Sequence, residues 1–148
     1  MNWEKLLANT LVKSHKTDLV EITQLREIVA RYLKDARIKE LSIDRHFACL
    51  YSAALQLAHM VTACNGYRVS AVSGHHKTSF EVLKLSIGKS IISLAAYFDV
   101  CRRKRNIVEY DGSSIVTETE LVELQKKVLE FQDIIENWIK KNYPKLSK

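Results

Sequence analysis

Residues 98–112 read FDVCRRKRNIVEYDG, with four consecutive cations, Arg102, Arg103, Lys104 and Arg105, followed by Asn106, Tyr110 and an Asp111-Gly112 turn. The stretch reads as the end of a long helix. On such a helix Arg103, Asn106 and Tyr110 share one face at i, i+3 and i+7. An arginine, an amide and a phenol on one face can hold a phosphate, because the guanidinium fork matches phosphate oxygens. They can equally cap a bundle, since cations at a helix C-terminal end complement its macrodipole. Repulsion among four like charges calls for acidic neighbours. Asp99, Glu109 and Asp111 are the candidates, with Asp99–Arg103 and Arg105–Glu109 at i, i+4 spacing.

The other chemistry-bearing residues are sparser. Gly74-His75-His76 offers two imidazoles, but adjacent histidines on a loop rarely both reach one ion, and no carboxylate or cysteine stands at a familiar ligand spacing. No metal site is expected. His46 and His59 have apolar helical neighbours and read as core or edge histidines. Gly88-Lys89-Ser90 looks like the end of a P-loop, yet the position that needs the first glycine is Leu83 and no strand precedes it. Spacing alone assembles no Ser/His/Asp set. Cys49, Cys64 and Cys101 lie far apart in apolar helical settings, where a free cysteine acts as a small buried hydrophobe. That usage predicts a reducing cytoplasm.

The elements that must position these groups are helical. The 148 residues are 47% apolar and include one proline and four glycines, too few breakers for a many-turned β fold. Trp3, Leu6, Leu7, Thr10 and Leu11 predict a short first helix. Leu19, Ile22, Leu25, Ile28, Val29, Tyr32 and Leu33 predict a second, capped by Thr17 or Asp18 and running to about Glu40. Ser42 caps a third, whose Phe47, Leu50, Tyr51, Ala54, Leu55, Ala58, Val61 and Thr62 face inward. Its alanines allow close helix contact, and Asn65-Gly66 ends it. Residues 67–78 read as the longest connection. A fourth helix starts near Ser79 and runs through Phe80, Leu83, Ile87, Ile91, Leu94, Ala95 and Phe98 to Asp111, with a split or kink at Gly88. Thr117 and Glu120 have capping-box spacing and open a last helix through Leu121, Leu124, Val128, Phe131, Ile135, Trp138 and Ile139.

These elements predict an all-α, antiparallel up-and-down bundle of four long helices plus a short N-terminal helix. It forms one domain over residues 1–148, with its core at about 3–139 and a basic tail at 144–148. In that topology the far end of the fourth helix lies at the pole opposite the Gly-His-His loop. The two meet within one subunit only if Gly88 folds the helix back. Otherwise a partner protomer must supply the loop. The net charge of +6 and a pI near 9.2 permit binding to nucleic acid or another acidic surface. The first fifteen residues carry Glu4 and Lys5 and do not read as a signal peptide. No window approaches the ~20 apolar residues of a membrane span, so no membrane partner is expected.

Beyond these patterns the chain resembles the HEPN domains, small all-helical bacterial and archaeal proteins. The segments that carry the resemblance are ACLYSAALQLAHMVTACNGYRV, the GHH followed by Thr78, and AAYFDVCRRKRNIVEYD. They look like one stand-alone branch of the family, and the likeness extends over residues 3–138. The family hallmark is an arginine and a polar residue, then a histidine four to six residues on, near the end of a late helix. Arg105-Asn106 resembles its start. The resemblance implies an RNA-directed protein of toxin–antitoxin, stress or defence type. It implies metal-independent RNA cleavage without a cofactor, at a site shared across a homodimer, and a possible nucleotidyltransferase or antitoxin partner. In that chemistry the histidine moves protons and the arginine stabilises the anionic phosphorus. Arg102, Arg103, Arg105 and Asn106 would bind phosphate or RNA.

The motif departs from the family where the histidine belongs. The three allowed positions hold Tyr110, Asp111 and Gly112. A tyrosine with a pKa of about 10 is a poor base at neutral pH. Three readings stand. The domain is a non-catalytic module that binds a nucleotide, RNA or an acidic protein partner through its basic helix end; or His75 or His76 replaces the missing histidine beside Arg105; or Tyr110, activated by the cations, donates the proton.

Overall fold

A computed structural model describes residues 1–111 and 115–148, with the side chains of 109–111 excepted. The chain is mostly helical. Helix α1 spans Trp3–Ala8, α2 Leu19–Asp35, α3 Ile43–Cys64, α4 His75–Glu81, α5 Leu83–Ile87, α6 Ile92–Asp111 and α7 Glu118–Asn142. Short 3₁₀ turns occupy Lys89–Ile91 and Pro144–Leu146.

Helix α3 is the centre of the molecule. All eight residues expected to face inward are buried, and Ala53, Ala54 and Ala58 have no exposed surface. These small side chains let α2 and α7 lie close against α3. Burying a Leu, Ile, Val or Phe side chain contributes roughly 1.5–3 kcal/mol. Leu50, Leu57, Val128, Phe131 and Ile135 therefore form the energetic middle of the fold. The ends are stopped locally. Asp18, rather than Thr17, caps α2 by accepting from the Glu21 amide, and Ser42 caps α3 by accepting from the Arg45 amide. Gly66, at φ +88°, follows the α3 C-cap Asn65. Thr117 and Glu120 close a full capping box on α7.

Helix α3 also corrects the expectation about membrane-spanning windows. It has 22 residues and contains an 18-residue window of mean hydropathy 1.4, long and apolar enough to cross a membrane, but 72% of that window is buried inside the protein. It is the core helix of a bundle.

Three further departures shape the site. First, α1 ends at Ala8, and Leu11 leads instead into strand β1, Val12–Ser14, paired antiparallel with β2, Tyr67–Val69. Val12 faces Val69 and Ser14 faces Tyr67. Trp3 stacks on Tyr67 with ring centroids 4.9 Å apart, and Leu6, Val12 and Val82 form a small second core beneath. β-branched and aromatic side chains favour such a half-buried ribbon. Second, α2 stops at Asp35, five residues before the expected end. Third, the fourth long helix is not continuous. It begins at His75, ends at Glu81, and resumes as α6 only after the break at Gly88.

Candidate functional site

Gly88 adopts φ +95° and ψ −164°, a conformation essentially reserved for glycine. There the chain reverses. Helix α6 packs on α3 and runs back along α4, with the Phe80 and Phe98 rings 5.6 Å apart. Phe98 in turn meets Phe131 of α7 at 4.9 Å. The aromatic contacts fix the two limbs, and the polar ends of both limbs then meet.

The meeting point is a cleft of about 530 Å3. His75, His76 and Lys77 line it from the first turn of α4, and Arg102, Arg105 and Asn106 from α6. Fold-back at Gly88 thus brings the Gly-His-His segment beside the arginines within one subunit. His75 and His76 lie on a helix rather than a loop, their rings edge-to-face with centroids 4.4 Å apart.

Beneath the cleft lies Tyr51 of α3, 1% exposed. Its hydroxyl is 3.1 Å from His76 Nδ1, and the Arg105 guanidinium sits over its ring, 5.6 Å from the centroid. That places a cation on the face of a buried aromatic. Burial raises the Tyr51 pKa, against the pull of Arg105 and Arg102. Burial first, and then His75, Arg105 and Arg102, push His76 down to about 4. His76 is therefore neutral at physiological pH. His75 Nδ1 is 3.0 Å from the Val72 carbonyl. One turn on, Ser79 Oγ donates to the His75 carbonyl at 2.8 Å and stands 3.3 Å from His59 Nε2. His59, also lowered to about 4 by burial and then by His76 and His75, is the satisfied core histidine its apolar setting suggested. His46 is an edge histidine whose Nε2 bonds the Ile38 carbonyl.

The four cations separate by direction. Arg102 and Arg105 line the cleft, and Arg102 Nε donates to Asp99 at 2.8 Å. Lys104 turns to α7 and pairs with Glu120. Arg103 has 62% of its side chain exposed, lies 3.9 Å from Asp99, and is not among the cleft residues. The face on the cleft is Arg102, Arg105 and Asn106, so of the expected phosphate-binding set only Arg103 stands apart. The geometric reason is the core stripe of α6. Leu94, Phe98 and Cys101 are buried, and Arg105 continues their i, i+4, i+7, i+11 series. Of the expected acidic neighbours, Asp99 is in place. The side chains of Glu109, Tyr110 and Asp111 lie outside the described residues, and so do the roles assigned to them.

Tyr51 and Lys77 had not been singled out. Tyr51 was read only as an inward-facing apolar residue, although a buried phenol needs a polar partner. Among the described residues no three His, Cys, Asp or Glu side chains converge into a set able to hold a metal. The arrangement as it stands can bind a phosphate between two guanidinium groups and hold imidazole nitrogens beside it. No family model, curated protein or solved structure matches the chain.

Proposed function

We propose that the chain is an RNA-directed, HEPN-like protein that cleaves RNA without a metal, and that the cleft between α4 and α6 is its phosphodiester site. One observation carries the reading: His75 and His76 line the same cleft as Arg102 and Arg105. Of the three readings left open by the missing motif histidine, this geometry favours replacement from α4.

The chemistry follows from the residue types. Arg102 and Arg105 hold the non-bridging phosphate oxygens and stabilise the charge that grows on them. An imidazole takes the 2′-hydroxyl proton as the O2′–P bond forms. The P–O5′ bond breaks, and the departing oxygen takes a proton from water. The hydroxide left behind recovers the proton from the imidazolium. The products are a 2′,3′-cyclic phosphate and a 5′-hydroxyl. A homodimer, and a nucleotidyltransferase or antitoxin partner, belong to the proposal through the resemblance. Ile92, Val100 and Ile107, exposed by 47, 52 and 45%, share one face of α6 and offer apolar surface to either. The free cysteines suit a reducing cytoplasm.

The test is cleavage of a fluorescent single-stranded RNA in excess chelator. Arg105→Ala and the double change His75→Ala/His76→Ala should each lower the rate by 100-fold or more. Undiminished cleavage in either variant would remove the cleft from the reaction.

A second reading, the non-catalytic module, is favoured by one feature. Neutral His76 beside two guanidinium groups makes this wall of the cleft a set of donors that suits a bound anion. It predicts salt-sensitive RNA or nucleotide binding with no cleavage by wild type at any enzyme concentration.

A further inference from the structure

We propose that the two histidines bring opposite nitrogen states into the cleft: His75 offers a bare Nε2 that accepts the 2′-hydroxyl proton, His76 offers an Nε2–H that binds a phosphate oxygen, and Tyr51 is the positioning residue that keeps His76 so. This rests on the RNA reading of the same cleft and assigns its parts.

The partners on the inner nitrogens dictate the assignment. His75 Nδ1 lies 3.0 Å from the Val72 carbonyl. A carbonyl only accepts, so Nδ1 carries the hydrogen. A neutral imidazole has one, and Nε2 is left with its lone pair. His76 Nδ1 lies 3.1 Å from the Tyr51 hydroxyl. That phenol is buried, and burial keeps it protonated. A buried O–H needs an acceptor, and His76 Nδ1 is its hydrogen-bond partner among the described residues. The phenol therefore donates, Nδ1 accepts, and the single hydrogen of neutral His76 sits on Nε2.

The backbone is held to match. Ser79 Oγ donates to the His75 carbonyl, so toward His59 it is an acceptor, and His59 Nε2 carries the hydrogen between them. This bond ties the first turn of α4 to α3, the helix that also carries Tyr51. Both histidines are thus anchored to the same rigid element, and their outer nitrogens differ by one hydrogen. A donor for the anion and an acceptor for the nucleophile's proton are the two functions a transphosphorylation needs side by side.

Nitrogen-15 spectra of histidine-labelled protein at pH 7 read the tautomers directly. The expected result is hydrogen on Nδ1 of His75 and on Nε2 of His76, and in Tyr51→Phe a shift of the His76 signals alone. Hydrogen on Nδ1 of His76, or on Nε2 of His75, overturns the assignment. Glutamine replacement supplies the second arm, because its amide can imitate an Nε2–H donor but cannot act as a base. His76→Gln should lower RNA cleavage by about tenfold or less, since the amide replaces only the donor, and His75→Gln should lower it by at least about 100-fold. The opposite order overturns the proposal. Should wild type show the stated tautomers yet cleave no RNA, the cleavage reading falls while the nitrogen states stand. The two failures are thus told apart.

Discussion

Helix α3 has two unlike flanks. On one side, α2 and α7 meet it along unbroken apolar stripes that end in conventional caps. On the other, α4 and α6 form a bent pair whose core stripe runs from Phe98 through Cys101 into a guanidinium at Arg105. The first flank buries side chains that have nothing to do but pack. The second buries a phenol and partly buries two imidazoles, His59 and His76, whose proton states depend on one another. The contrast separates what holds the chain together from the cleft on which the RNA proposal rests. Changes on the first flank should alter stability and leave the proposed RNA binding alone, whereas changes at the cleft should alter that binding.

The largest expected effect lies on the packing flank. Phe131 is fully buried against Phe98, and Phe131→Ala should cost about 3–5 kcal/mol. Urea unfolding would show it as a lower midpoint, while the RNA affinity of the folded fraction stays within about twofold.

Acidification should come next, and it acts on the cleft flank. His59 and His76 sit at about 4 in the folded chain, against about 6.5 when unfolded. As pH falls through that interval the unfolded chain binds protons first, so stability is constant above about 6.5 and declines toward 4. His59, the more deeply buried, accounts for up to about 3 kcal/mol of the decline, and the half-buried His76 for less. His59→Gln, which keeps a donor for Ser79, should flatten the melting-temperature profile between pH 7 and 4.5. An unchanged profile would count against the buried neutral imidazole.

The hinge joins the two flanks. A Cβ on Gly88 would meet nothing within 4 Å, so Gly88→Ala isolates backbone strain. It should cost about 1–3 kcal/mol and should weaken RNA binding by moving α4 relative to α6. A variant with wild-type affinity would show that the cleft tolerates that movement.

The smallest effect on stability belongs to the arginines. Arg105→Ala removes a cation–π contact and should cost about 1 kcal/mol. Arg102→Ala with Arg105→Ala should lower the salt dependence of single-stranded RNA binding by roughly 1.4 in logarithmic slope, from two lost phosphate contacts. A slope equal to that of wild type would remove the two arginines from the proposed phosphate contacts.

How much of this was legible in the sequence follows the range of the signal. The inward set on α3, the Ser42 cap, the Asn65-Gly66 end and the Thr117–Glu120 box are each encoded within a few residues, and all were read correctly. The β1–β2 ribbon pairs Val12 with Val69, which no local pattern announces in segments of three residues. The split at Gly88 and its fold-back were weighed only as one alternative, because Phe80 meets Phe98 across the break and no local pattern announces that contact. Arg103 was placed with the other arginines for a different reason. The stretch after Phe98 was read as a charged helix end, whereas continuing the core stripe from Leu94, Phe98 and Cys101 leads straight to Arg105. Tyr51 looked like one more apolar residue, since its partner, His76, lies on another element.

The fold-back at Gly88 also bears on the order in which parts of the chain come together. Tyr51 and His76 are 25 positions apart, whereas the bidentate clasp of Arg26 on Glu136, which joins α2 to α7, spans 110. Loop-closure entropy grows with the logarithm of length, which makes the longer closure costlier by about 1.3 kcal/mol. The cleft is the low-contact-order part of the molecule and the clasp the high-contact-order part. Destabilising changes around Tyr51 and His76 should therefore appear mainly as slower folding, and those at Arg26 and Glu136 mainly as faster unfolding.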